Sequence, residues 1–255
     1  MSEPTTSVVA GGVATITLDA PERRNAFGQP LLRSLLAALD AAEADDDVRV
    51  IVLTNTGTTF SAGADLKEDR STIGPDDPTF FDVVARIDHC PKPVVGRIAG
   101  HAAGGGAAVV VACDLAVLVD TARLGITEVR LGLPPVPVAA ILAHRLTPRA
   151  LSEAFLAAEM MSAQRAVELG MANMAVPGDE LDAAVERYVD ALLRGGPSTL
   201  AVTKRALAAM VGRTAEENAE VARTHGGDGF ASGEAREGVA AFVEKRPASW
   251  IPEGR

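Results

Sequence analysis

Two glycine-rich stretches hold the residues best suited to chemistry. The first, TTFSAGADLKED (Thr58–Asp69), leaves the apolar run VIVLT through small residues around Gly63. The second, HAAGGGAAVVVACDLAVLVD (His101–Asp120), sets Gly104, Gly105 and Gly106 at the lip of a long apolar segment. Both read as strand-to-helix junctions with exposed amides. An N–H without a helical partner carries part of the helix dipole and binds anionic oxygen. Two such junctions side by side would cradle one developing oxyanion, and glycine keeps that backbone approachable because it has no Cβ. Tight strand–helix packing is the other reason for the same glycines. The run is not a phosphate loop: no Gly-Lys-Ser/Thr follows, and the spacing is not G-x-G-x-x-G.

Other chemistry finds little support. His89, His101, His144 and His225 are scattered, and none pairs with a nucleophile as a hydrolytic triad would require. His101 lies beside the glycine run, where it would line a pocket or pack structurally. Cys90 and Cys113 sit in apolar surroundings without CxxC or Cys/His spacing. They read as reduced, buried thiols, with no metal site and no disulfide.

The elements that position these stretches follow from hydrophobic spacing. Val8–Leu18 reads as a hairpin turning at Gly11-Gly12, and a helix begins at Pro30 with Leu31, Leu32, Leu35, Leu36 and Leu39 on one face. VRVIVLT, PVVGRIAG and DLAVLVD read as mostly buried strands, with a helix over Ala107–Ala112. This alternation predicts an α/β domain with parallel strands. Beyond about residue 137 the pattern turns helical: PVAAILAHRL, RALSEAFLAAEM, AQRAVELG (capped by Ser162, ended by Gly170), ELDAAVERYVDALLRGG and STLAVTKRALAAMV, with a short strand in MANMAVP. The Pro- and Asp-rich STIGPDDPTFFD (Ser71–Asp82) reads as a mobile lid over the site.

The composition suits a soluble globular chain of 255 residues, 47% apolar and 23% charged, with a core built from Ala, Val and Leu because aromatics are only 4%. A net charge of −10 argues against a nucleic-acid partner. The N-terminus lacks the pattern of a signal peptide and no apolar run is long enough to span a membrane, so a cytoplasmic protein is expected.

FSAGADLKE, GHAAGGGAAVVVACDLAV and LGITEVRLGLPP together resemble the enoyl-CoA hydratase/isomerase (crotonase) superfamily, from the N-terminal hairpin to the GVAAFVEKRPASW tail. The resemblance implies a spiral of β-β-α repeats with a C-terminal helical trimerisation region. The spiral core would cover 1–195, and the helical region, 196–255, would complete the CoA site and oligomer contacts. It further implies a homotrimer or dimer of trimers, and an acyl-CoA thioester held by two backbone amides, here those of Ala64 and Gly105. Gly104 would let the acyl chain pass. No metal or separate cofactor is implied, since coenzyme A is part of the substrate.

Hydratases of this superfamily commonly hold water between two glutamates. The position of the first is Ala108 here, and that of the second is Glu128. A surface carboxylate is the plain alternative for Glu128. A single carboxylate fits two reactions: hydration of a 2-enoyl-CoA with one residue as base and acid, or Δ3,Δ2-isomerisation by proton shuttling. TEVRLGL, with a small residue for the first glutamate, is similar to bacterial branched-chain (methylglutaconyl-type) hydratases, which favours the hydro-lyase. A third reading, an acyl-CoA-binding protein of this fold with little activity, rests on Ala108. Asp82 or Asp88 could stand in as a second carboxylate.

Where many relatives read Pro-Gly-x-Gly-Gly, this chain has Pro134 to Ala140, PPVPVAA, which predicts a narrower acyl pocket with Val136 on its wall. PERRNAFG resembles the segment that lies against CoA, with Arg24 as a phosphate contact and Ala26 as a backbone contact; a solvated turn is the alternative. Ala62, Asp65 and Leu66 resemble the backbone strip that reads the adenine. Phe242 and Lys245 match a C-terminal segment that approaches the CoA of a neighbouring subunit, the lysine as a point charge on phosphate. A cation at a helix end is the alternative for Lys245.

Overall fold

The structure is a computed structural model that describes residues 3–227 and 229–254, with backbone alone at 137 and 141. Strands β1 (Thr5–Ala10) and β2 (Val13–Leu18) form the expected hairpin. Its turn residues Gly11 and Gly12 have φ of 55° and 82°, the left-handed backbone that a two-residue hairpin turn demands at both positions. Helix α1 (Gln29–Ala44) carries a proline in its first turn, where a missing N–H costs nothing, and buries Leu31, Leu32, Leu35 and Leu39.

From there the chain winds in a repeating unit. Strand β3 (Val50–Asn55) leads into short β4 (Thr59–Ser61) and then α2 (Phe80–His89). β5 (Val94–Ile98), β6 (His101–Ala103) and α3 (Gly105–Ala112) repeat the pattern, as do β7 (Leu115–Val119), β8 (Arg123–Gly125) and α4 (Val136–Leu142). After α5 (Pro148–Ser152) come β9 (Met161–Ser162), α6 (Ala163–Glu168) and β10 (Met174–Val176). One sheet runs β1-β2-β3-β5-β7-β10 and the other β4-β6-β8-β9. Each β-β-α turn therefore adds one parallel strand to both sheets, which is the spiral of the expectation. Every residue of β3 is buried, as befits a parallel strand covered on both faces.

The alternation along the large sheet divides the core. Ile51 and Leu53 of β3 face α1 to α3, whereas Val50 and Val52 join Val95 and Val117 against α7 (Leu181–Leu193). All eight residues of α3 are buried, so this helix lies at the centre of the spiral and must be built from Gly, Ala and Val. Helices α8 (Pro197–Met210), α9 (Ala215–Gly226) and α10 (Gly233–Glu244) follow, and the 195/196 boundary falls between α7 and α8. Among the described residues no helix is long and apolar enough to cross a membrane, and no cluster of His, Cys, Asp and Glu could hold a metal. Cys90 and Cys113 are free and buried, and burial pushes the Cys113 thiol up to about 12.

Two expectations need correction. The stretch Ser71–Asp82 is not one loop: α2 starts at Phe80, where Thr79 and Asp82 form a capping box. The helix expected over RALSEAFLAAEM is two short pieces. α5 stops at Ser152, a wide π-type turn covers Glu153–Ala157, and Ala158 in the left-handed region (φ 51°) breaks the run so that Met161 can pair with Leu124 of β8.

Candidate active site

The three glycines have three separate reasons to lack a side chain. Gly104 caps α3 with φ 53° and ψ −125°, a conformation closed to L side chains, and a Cβ there would lie 2.8 Å from Glu128 Oε1. A Cβ on Gly105 would lie 2.9 Å from the ring of Phe80, which stands at the start of α2. One on Gly106 would meet Ser61 Cβ at 2.9 Å and the Ser61 carbonyl oxygen closer still. Helix α3 is thus pressed against β4, α2 and the Glu128 loop at once.

The other glycine stretch is folded onto the same spot. A Cβ on Gly63 would lie 3.1 Å from Gly105 N, so the residue preceding Ala64 touches the first turn of α3. Around Ala64 the backbone bonds are nearly complete: Ala62 N–H donates to Arg24 O (3.0 Å), Phe27 N–H to Gly63 O (2.7 Å) and Asp65 N–H to Phe27 O (3.2 Å). The Ala64 and Gly105 amides have no such partner among the described residues. Ala62, Ala64 and Leu66 are exposed while Ser61, Gly63 and Asp65 are buried, so alternate residues of the strip face outward.

Glu128 opens a single 3-10 turn, Glu128–Leu131, and its carboxylate lies against Gly104. Its Oε2 is buried with no hydrogen-bond partner. Burial raises its pKa above the ordinary 4.5, and backbone hydrogen bonds only partly offset the shift. A partly desolvated carboxylate with an open lone pair has the chemistry to take up a proton. The Phe80 ring that lies over Gly105 packs in turn on Phe27, ring centroids 5.0 Å apart.

The other residues named from sequence are placed as follows. Ala108 is fully buried inside α3, with no open surface to present to a ligand. Asp65 is 7% exposed; its carboxylate pairs with Arg23 and accepts from Lys67 N–H, so it holds the loop together rather than facing outward. The Ala26 amide and carbonyl are used within its own turn, by Arg23 O and Gly28 N. Arg24, at φ 53°, has an exposed side chain. Val136 is 66% exposed and lines an apolar groove of about 400 Å³ with Val129, Pro134, Phe155 and Leu156. Phe242 is 84% exposed and Lys245 ends α10, which is anchored to the start of α8 by Glu234. Asp82 serves the α2 cap and Asp88 accepts from Arg145, so neither joins Glu128 as a second carboxylate. His101 accepts from Arg123 N–H and ties β6 to β8.

Sequence reasoning passed over Asn25, Ser61 and Phe80. Asn25 is fully buried at φ 50°; its side chain accepts from Ala20 N–H (2.8 Å) and donates to Thr59 O (2.9 Å). An Asn in a polar loop suits the left-handed region, but nothing local in the sequence marks its burial or its partners.

Known proteins place the whole chain. Residues 9–253 match the profile of the family described as "Enoyl-CoA hydratase/isomerase". A Thermus thermophilus protein named "Putative enoyl-CoA hydratase" is 36% identical over 248 residues, covering 94% of this chain and 98% of its own. Two solved structures superpose throughout: an enoyl-CoA hydratase of Mycobacterium smegmatis (TM-score 0.87, 29% identity, 98% and 99% coverage) and a probable enoyl-CoA hydratase/isomerase of Mycobacterium abscessus (0.84, 34%, 98% and 99%). With its spiral of paired sheets and this match along residues 9–253, the chain belongs to the enoyl-CoA hydratase/isomerase family.

Proposed function

We propose that the protein is an enoyl-CoA hydratase that adds water across the double bond of a 2-enoyl-CoA thioester. The observation that carries this reading is the position of Glu128: its carboxylate abuts Gly104, one residue from the unpaired Gly105 amide, with one oxygen buried and unpartnered. In this scheme the Ala64 and Gly105 amides donate to the thioester oxygen. Glu128 takes a proton from water as the hydroxyl bonds to C3, and the C2–C3 π electrons move onto the thioester as an enolate. Protonated Glu128 then returns the proton to C2. One water is consumed, and Glu128 ends as it began.

The coenzyme portion would run along the exposed edge of Ala62, Ala64 and Leu66 toward the Arg24 guanidinium. Phe242 and Lys245 would serve a neighbouring protomer of a trimer or dimer of trimers. A second reading, Δ3,Δ2-enoyl-CoA isomerisation, is favoured by the lone carboxylate. There Glu128 would take a proton from C2 and return it at C4, and no water would be needed.

The two are separated by substrate. Hydration consumes the conjugated absorbance of crotonyl-CoA, whereas isomerisation creates conjugation from a 3-enoyl-CoA. Glu128→Gln is expected to lower the active reaction by about 10²–10⁴-fold, the usual worth of a positioned acid–base group. Acyl-CoA binding with neither reaction, unchanged by the substitution, would instead support a binding protein.

A further inference from the structure

The two amides of the proposed site come from chain segments about 40 residues apart in sequence, and one buried side chain touches both segments. Ser61, the last residue of β4, is fully buried. Its hydroxyl donates to Asn25 O (2.7 Å) and accepts from Gly63 N–H (3.1 Å). Gly63 has φ 85°, and the Gly63–Ala64 peptide that follows bears the unpaired amide. The other side of Ser61 lies against α3, where its Cβ and carbonyl occupy the space a Cβ on Gly106 would need.

We infer that Ser61 is a positioning residue that sets the Ala64 amide relative to the Gly105 amide. The hydroxyl holds the Ala62–Gly63 peptide, one step before the Gly63–Ala64 peptide whose carbonyl accepts from Phe27 N–H, and the backbone of the same residue gauges the distance to the first turn of α3. Asn25 completes the device. Its carbonyl fixes the direction of the Ser61 O–H, while its side chain fastens the Arg24–Phe27 turn to Ala20 and Thr59. A backbone donor cannot be removed by substitution, so its placement depends on such neighbours. Without the hydroxyl, Gly63 N–H and Asn25 O lose their partner in a dry interior, and the loop turns to recover one. This inference rests on the oxyanion reading above.

The experiment binds para-dimethylaminocinnamoyl-CoA, whose absorption moves to the red when its thioester oxygen accepts hydrogen bonds, to the parent, to Ser61→Ala and to Ser61→Cys. The expected result is a clear red shift in the parent, less than half of it in Ser61→Ala and an intermediate value in Ser61→Cys. Turnover of the active enoyl-CoA should fall about 10- to 100-fold in Ser61→Ala, less than outright loss of an oxyanion donor. KM should stay within about threefold, because binding of the coenzyme portion is uniform across the reaction. A parent without any red shift would sink the oxyanion reading itself. A full red shift in a Ser61 variant, or a loss confined to KM, would overturn the role of Ser61 and leave that reading standing. Should Ser61→Ala fail to fold, Ser61→Cys is read by the same criterion.

Discussion

Glu128 is costly to the fold in the form that chemistry needs. Its raised pKa means that the folded state holds the proton more tightly than the unfolded chain. The associated stability is complete below the unfolded-state value and is lost as pH rises through the higher folded-state value. Glu128→Gln removes that liability, so the variant should melt above the parent at about pH 8, with the gap closing toward about pH 4. Activity should move the other way, rising with pH in the parent as the carboxylate ionises and staying flat in the variant. Melting curves and rate profiles on both proteins check this together; a parent that melts higher at alkaline pH would count against a desolvated Glu128.

At the scale of elements, the site is a junction of α3 with its neighbours, and the glycines report how hard each contact is. A methyl on Gly105 meets a ring that can turn, whereas one on Gly106 meets the backbone of Ser61. Gly105→Ala should cost about 1–3 kcal/mol, as overpacking usually does. Phe80→Ala should relieve much of that cost, with a coupling of about 1 kcal/mol or more in a double-mutant cycle. Gly106→Ala should cost more and find no relief from Phe80→Ala. Denaturant melts of the parent and these five variants test the scheme, and additivity of Gly105→Ala with Phe80→Ala would refute the contact.

This junction also marks where the sequence is legible and where it is not. The hairpin, α1 and the strands of the large sheet announce themselves by period and by continuous apolar runs. Strands β4, β6 and β8 span three residues each, too few for any period, and only their pairing into a second sheet makes them strands. α2 hides behind a Pro- and Asp-rich approach that reads as loop. Glu128 and the glycine run are recognisable because their roles travel with a local motif. Ser61 and Asn25 are not, because a buried polar side chain acquires its meaning from partners that only the folded topology supplies.

For the whole molecule, the question is how the C-terminal helices are held. α8 contributes no fully buried residue, so polar ties count for more there. Lys204, its side chain 13% exposed, donates through Nζ to Asp114 (2.7 Å, side chain 19% exposed), and Asp114 also accepts from Val94 N–H at the start of β5. Lys204→Ala leaves that carboxylate with only a distant Arg145 (3.8 Å) for charge compensation and should cost about 1–3 kcal/mol. A steeper loss of hydrogen-exchange protection in α8 than in β3 would trace the effect to docking of the helix; equal losses would point to general destabilisation instead.

The same helices present much apolar surface. Phe230 is 83% exposed, Phe242 84% and Val243 72%, all on or beside α10, an amount that soluble chains rarely leave to water. If this face meets a neighbouring protomer, as the family resemblance implies, light scattering should give an assembly of three or six chains. Phe242→Glu should shift it toward single chains, because a charge buried at an interface without a partner is strongly disfavoured. Activity should drop as the assembly breaks up, and mixing the variant with a Glu128→Gln partner becomes diagnostic. Each variant alone should be nearly inactive; a mixed assembly should regain activity where an intact α10 from one protomer meets an intact Glu128 from another. Activity of Phe242→Glu equal to the parent's as a single chain would show that each protomer is complete in itself.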